Sequence, residues 1–317
     1  MRYIRQEKFI GKEAQNLLTK KTISIVGLGA LGSNSANLLA RAGINLILID
    51  NDKVDLTNLQ RQSIFDEKDI GKNKAEAAKE HLEKVNHEII IKEYNKRLDK
   101  NNIHLIKADL VLYCTDNLET RFLINEFCCK NNIPFVHAAA IQDKGVIFNV
   151  IPGKACFNCI YTFTGNIERC EDLGVLNTVT SLISSMQVNE AIKILLNKDY
   201  ETNLLRVNLS NNSFEKIKIN KNPNCEICNK MDNKKNFELT LCRTGATLTV
   251  RTNKQLNLDK IKNNFGVLRD AKVTLLLDFD NEQVIVNKQG EIIFKTLKDE
   301  DKIMKIAKKI YDDILST

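Results

Sequence analysis

The chain has 317 residues, with 47 Lys+Arg against 40 Asp+Glu and a net charge of +7, and it is 43% apolar and 27% charged. That length bounds it at about two domains, and the balance excludes a disordered or collagen-like chain. The positive excess is spread along the chain rather than gathered in a tail, which argues against nucleic acid as a partner.

Residues 1–20 read as a polar arm or short helix. The opening MRYIRQEKF lacks the apolar core of a secretory signal, so a cytoplasmic protein is expected. From Lys21 strands alternate with helices. Thr22–Val26, Asn45–Asp50, Glu88–Tyr94, Leu110–Cys114 and Phe135–Ala138 read as strands. Leu31–Ala42, Asn73–Val85 and Leu118–Cys129 read as helices. This rhythm predicts right-handed βαβ units and an α/β fold with a Rossmann-like, doubly wound, mostly parallel sheet. Apolar runs such as Ile44–Ile49, broken by Asn45, are far short of the ~20 residues that span a bilayer. Gly145–Ile151 reads as a further strand, 152–177 as a long loop, and Val179 to Leu196 as a helix. Leu204–Leu209 and Ser213–Ile219 form a hairpin around Asn211-Asn212. The polar stretch 220–236 is a plausible boundary. It divides residues 1–235 from a small α+β module, 236–317. There Thr247–Thr252, Val273–Leu277, Gln283–Asn287 and Ile292–Lys295 read as strands, and Leu258–Phe265 and Glu300–Ile314 as helices. The last helix carries Ile303, Ile306, Ala307, Ile310 and Ile314 on one stripe.

Gly27-Leu28-Gly29-Ala30-Leu31-Gly32 is a G-x-G-x-x-G between a strand and a helix. Such glycines let backbone N–H groups approach a phosphate at a helix N-terminus. Asp50, ending the next strand, suits ribose hydroxyls. The motif alone does not choose among NAD, FAD, S-adenosylmethionine and ATP.

Asp50–Gln62 reads DNDKVDLTNLQRQ. With it come Arg2-Tyr3-Ile4-Arg5-Gln6, Gly71-Lys72-Asn73-Lys74, Cys114-Thr115-Asp116-Asn117, Ala138-Ala139-Ala140, two CxxC pairs and Cys170 to Val175. In this order the first 230 residues resemble the ThiF/MoeB/HesA group of E1-like adenylyltransferases, relatives of ubiquitin-activating enzymes. A dehydrogenase reading leaves Arg61, Lys74, Asp116 and the paired cysteines without a role. The one departure is Ala30, where the group commonly has a third close glycine.

The resemblance implies adenylation. The carboxylate of a small ubiquitin-like protein attacks the α-phosphate of ATP, giving an acyl-adenylate and pyrophosphate. Gly27, Gly29, Ala30, Gly32, Asp50, Asp52, Asn58 and Asn117 then line the nucleotide site. Arg61 and Lys74 neutralise the triphosphate, Asp116 holds Mg²⁺, and Arg5 crosses from the partner subunit of a homodimer. The implied partner is a ThiS- or MoaD-like sulfur carrier ending in Gly-Gly, serving thiamine or molybdenum-cofactor synthesis, with a cysteine desulfurase or sulfurtransferase as a further partner. An archaeal ubiquitin-like modifier, a peptide or tRNA-bound threonylcarbamoyladenosine are alternative substrates.

Nine cysteines remain to be placed. Cys156-x-x-Cys159 and Cys225-x-x-Cys228 can satisfy a tetrahedral Zn²⁺. The 65 residues between the pairs make spacing alone a moderate argument, with redox pairs or disulfides as alternatives. The resemblance implies zinc. Cys170 matches a position whose thiol, in some members of the group, bonds to the carrier or relays sulfur; its alternative is an inert loop cysteine. Cys114, Cys128, Cys129 and Cys242 lie in apolar segments and read as small buried hydrophobes.

Overall fold

The computed structural model describes residues 2–115, 117–164, 174–228, 240–244, 247–251, 256–279 and 282–315. The chain divides into two compact units, Met1–Asn229 and Lys230–Thr317.

The first unit opens with two short helices, α1 (Ile4–Ile10) and α2 (Lys12–Leu18), where the sequence suggested an arm or one helix. Then follow β1 (Thr22–Val26), α3 (Ala30–Ala42), β2 (Asn45–Ile49), α4 (Lys74–Val85), β3 (Ile91–Tyr94), β4 (Leu110–Tyr113), α5 (Leu118–Lys130) and β5 (Phe135–Ile141). The strand runs ISIV, LILI and LVLY are buried along their length. Such unbroken apolar runs mark strands covered on both faces. The unit continues with β6 (Lys144–Val150), α6 (Phe157–Thr164), α7 (Asn177–Leu195), β7 (Leu204–Asn208) and β8 (Ser213–Ile217).

These strands form one eight-stranded sheet, ordered β3-β2-β1-β4-β5-β6-β7-β8. β3 through β5 in that order pair in parallel, and β6, β7 and β8 are antiparallel additions. The order reverses at β1, which lies between β2 and β4. In open α/β sheets that reversal leaves a crevice beyond the carboxyl ends of the strands. α7 packs against α3, β5 and β6 and closes one side of the sheet. Two sequence readings need correction. The expected loop 152–177 contains α6, and β3 begins at Ile91 rather than Glu88. Glu88 instead donates its backbone N–H to the Asn86 side chain, a local turn that competes with the ladder.

The second unit is a six-stranded antiparallel sheet with two helices. Its elements are β9 (Thr240–Thr244), β10 (Thr247–Arg251), α8 (Leu258–Asn264), β11 (Gly266–Asp270), β12 (Thr274–Phe279), β13 (Glu282–Asn287), β14 (Glu291–Phe294) and α9 (Glu300–Leu315). The strand order is β11-β12-β13-β14-β10-β9. Ile303, Ile306, Ala307 and Ile310 of α9 are buried in one core with Leu275, Leu277, Val284 and Ile292. The periodicity had not announced β9 or β11. β11 carries a bulge between Val267 and Arg269, and its residues are mostly exposed, so no clean alternation survives. No helix among the described residues is long and apolar enough to cross a membrane.

Candidate functional site

A cavity of about 640 Å³ opens at the carboxyl ends of β1, β2, β4 and β5. The glycine loop forms one wall. Gly27 has φ +88°, in the region glycine tolerates best, and a Cβ on Gly32 would stand 1.8 Å from the Gly27 carbonyl oxygen. Only a glycine at 32 lets the first turn of α3 close onto the loop. Ala30, the departure from the family pattern, begins α3 and lines the cavity with Gly27 and Gly29.

Asp50 is almost fully buried at the end of β2. Its carboxylate accepts the Leu28 N–H at 2.6 Å and the Asp52 N–H at 2.7 Å. Burial pushes its carboxyl above the ordinary range, opposed by those two amides and by Lys74. Lys74, the first residue of α4, is 6% exposed, and its Nζ lies 3.1 Å from Asp52. Asn58 and Arg61 come from the connection after β2. Asn58 Oδ1 accepts the Asp55 N–H at 3.2 Å, and Arg61 Nη1 donates to the Thr57 carbonyl at 2.9 Å. All five side chains line the cavity. Asn117 lines it too and N-caps α5, accepting the Thr120 N–H at 3.1 Å.

Asp116 and Cys170 lie outside the described residues. Arg5 is exposed on α1 and is not among the residues lining the cavity of its own chain. Cys114 faces the cavity instead of serving only as core packing. Its Sγ donates to Gln187 Oε1 at 3.4 Å, and burial pushes the thiol up to about 12, so it stays protonated at neutral pH.

Sequence reasoning missed several lining residues: Gln62, Lys96, Arg97, Thr120, Arg121 and Thr180. Arg121 had a signal. It stands four residues after Asn117, one helical turn from the strand end, and so shares a face with it. Lys96 and Arg97 follow β3 in an irregular stretch with no motif to single them out. Gln187 was also missed. It is fully buried on α7, donates to the Val136 carbonyl at 3.0 Å and to the Tyr113 carbonyl at 3.4 Å, and accepts from Ser35 Oγ at 3.1 Å.

The four paired cysteines converge beside α6. Cys156 Sγ lies 4.0 Å from Cys159 and 3.6 Å from Cys225, and Cys159 lies 3.6 Å from Cys228. All four sulfurs fall within 4.8 Å of one another. Tetrahedral Zn–S bonds of ~2.3 Å require sulfurs about 3.8 Å apart, so the set fits zinc. These separations exclude disulfides between the sulfurs measured, because an S–S bond is ~2.0 Å. The neighbouring Cys129 thiol hydrogen-bonds Cys156 and holds that thiol below the ordinary range, which favours the thiolate a metal needs. Four protein ligands leave no open position, as in a structural site.

The sequence model of the ThiF family matches residues 3–227. The SAMP-activating enzyme E1 of Haloferax volcanii is 31% identical over 227 residues, 69% of this chain and 84% of that protein. The molybdopterin-synthase adenylyltransferase of Escherichia coli is 35% identical over 238 residues, 72% of this chain and 96% of that protein. Among solved structures, E. coli MccB with ATP superposes at a TM-score of 0.63 with 25% identity, covering 72% of this chain and 74% of that one. On these matches the chain belongs to the ThiF/MoeB family of E1-like adenylyltransferases and is a nucleotidyltransferase.

Proposed function

We propose that the chain adenylylates the C-terminal Gly-Gly carboxylate of a ThiS- or MoaD-like sulfur carrier, for sulfur transfer in thiamine or molybdenum-cofactor synthesis. The observation that carries the reading is the cavity at the β1 reversal. There a glycine loop, a ribose-type carboxylate (Asp50) and two cations (Arg61, Lys74) share one space.

In this reading the glycine loop and the N-terminus of α3 receive phosphate. Asp50 accepts the ribose hydroxyls. Arg61 and Lys74 exchange their present partners, the Thr57 carbonyl and Asp52, for triphosphate oxygens. A polyanion offers both cations stronger charge-assisted acceptors than a backbone carbonyl or a single carboxylate. Contacts from both residues would hold the triphosphate so that its α-phosphate can meet the incoming carboxylate. Asp116, between cavity-lining Thr115 and Asn117, is assigned Mg²⁺, which when bound screens the phosphate charge. The four-cysteine site holds Zn²⁺ and ties α6 to residues 225–228. Arg5, exposed on α1, is assigned to the cavity of a partner subunit in a homodimer, and Cys170 to sulfur relay after adenylation. A cysteine desulfurase or sulfurtransferase would supply the sulfur.

The test is ATP–pyrophosphate exchange that depends on a carrier ending in Gly-Gly. Silence with every such carrier of the source genome would overturn the reading. A second reading, activation of a ubiquitin-like modifier, is favoured by the likeness to the H. volcanii SAMP-activating enzyme. It predicts exchange with the modifier and none with the sulfur carrier.

A further inference from the structure

Arg121 has no role in the reading above. It sits one turn into α5, its N–H donating to the Asn117 carbonyl at 3.2 Å. The residue is 6% exposed yet lines the cavity. Nε donates to Tyr113 Oη at 2.6 Å, and Nη2 reaches the Thr115 carbonyl at 3.5 Å. The guanidinium carbon lies 5.0 Å above the Tyr113 ring and 5.9 Å from the Phe157 ring. Among the described residues no carboxylate pairs with it. Its side-chain partners among those residues are a phenol, a carbonyl and two aromatic faces, all neutral.

An arginine stays protonated even when buried. A buried charge without a counter-charge is costly, and aromatic faces with neutral acceptors offset part of that cost only. The neighbouring imidazole of His137 adds no positive charge, since burial and the Arg121 cation hold it neutral. The remaining guanidinium donors are a planar fork matched to carboxylate or phosphate oxygens.

We infer that Arg121 is an anion-contacting residue of this cavity, meeting a nucleotide phosphate or the carboxylate that attacks it from the β4 side of β1, while Arg61 and Lys74 come from the β2 side. Tyr113 is its positioning residue. The Tyr113 oxygen accepts from Arg121 Nε and donates on to the Asn117 carbonyl at 3.2 Å, which restrains the guanidinium at the end of β4. The carboxylate source rests on the adenylylation reading; the nucleotide source needs only ATP binding.

The experiment uses the full-length chain. ATP affinity is measured at equilibrium, and exchange kinetics are measured with a carrier ending in Gly-Gly. If the anion is the nucleotide, Arg121→Gln weakens ATP binding about tenfold or more. If it is the carboxylate, ATP affinity stays within about twofold while kcat/KM for the carrier falls about tenfold or more. Arg121→Lys keeps the charge but not the fork and falls between wild type and Arg121→Gln. Tyr113→Phe shifts the same constant as Arg121→Gln by less, with the melting temperature held. A folded Arg121→Gln with both constants within about threefold of wild type overturns the assignment. If that variant does not fold, an unchanged Arg121→Lys does the same. Exchange absent from the wild-type chain counts against adenylylation, whereas unchanged constants in an exchanging variant count against Arg121 alone.

Discussion

Gly32 and Lys74 show how differently two residues of one site constrain it. A methyl group at 32 would overlap the Gly27 carbonyl, and backbone is the part of the loop least able to yield. Gly32→Ala is therefore expected to abolish ATP binding, checked by equilibrium binding on the soluble fraction; retained affinity would show that the loop opens. Lys74→Met keeps the packing stem and removes only the charge. It should leave the melting temperature within a few degrees and lower exchange kcat/KM about 100-fold. An effect below about threefold would remove Lys74 from the triphosphate site. The glycine loop was legible in the sequence because its spacing is local, whereas Arg61 and Lys74 stood out only through the motifs that carry the family resemblance. Arg121 and Gln187 were not legible, because their meaning is set by what stands across the fold: the Tyr113 ring for one, the carbonyls of Tyr113 and Val136 for the other.

Among elements, the four-cysteine centre and the β7–β8 edge make separable claims. All four sulfurs sit within ion-binding distance although the pairs are far apart in sequence, so a metal bound there would close a long loop. We expect one zinc per chain by elemental analysis. Chelation, or Cys225→Ser, should lower the melting temperature by many degrees. A chain that loses its zinc without losing stability would refute the stapling role. At the sheet edge, Glu201 accepts from the Asn203 N–H at 2.9 Å and pairs with Lys216 of β8 at 2.8 Å. Burial pushes this carboxyl up, but Lys216 and Asn203 outweigh it and hold it at about 2 against its usual 4.5. A carboxyl lowered on folding stabilises the fold above its unfolded value and loses that contribution as pH falls through the folded one. The stability gap between wild type and Glu201→Gln should therefore be full above pH 4.5 and close toward pH 2. A gap independent of pH would mean the pair contributes nothing. The parallel strands were readable as unbroken apolar runs. α6 was hidden because its residues sit among glycine, asparagine and cysteine, and β11 because its bulge and exposure erase the alternation.

On the scale of the whole molecule, the two units each have their own apolar core. Every cavity-lining residue and all four zinc-type cysteines lie in Met1–Asn229. A protein ending at residue 229 is accordingly expected to fold, hold zinc and bind ATP with affinity within about threefold of the full chain, measured by calorimetry. Failure to bind would mean the second unit completes the site. Within the first unit, Gln187 spends its full amide hydrogen-bonding capacity on β4, β5, α3 and Cys114. The glycine loop, which leads into α3, and the strand end that carries Thr115 are thereby clamped in one jig. Neither can drift from the other without breaking bonds at a fully buried amide. Any breathing that admits nucleotide is then expected at the stretches around Asn58–Arg61 and Lys96–Arg97, which also line the cavity, rather than at this clamped floor.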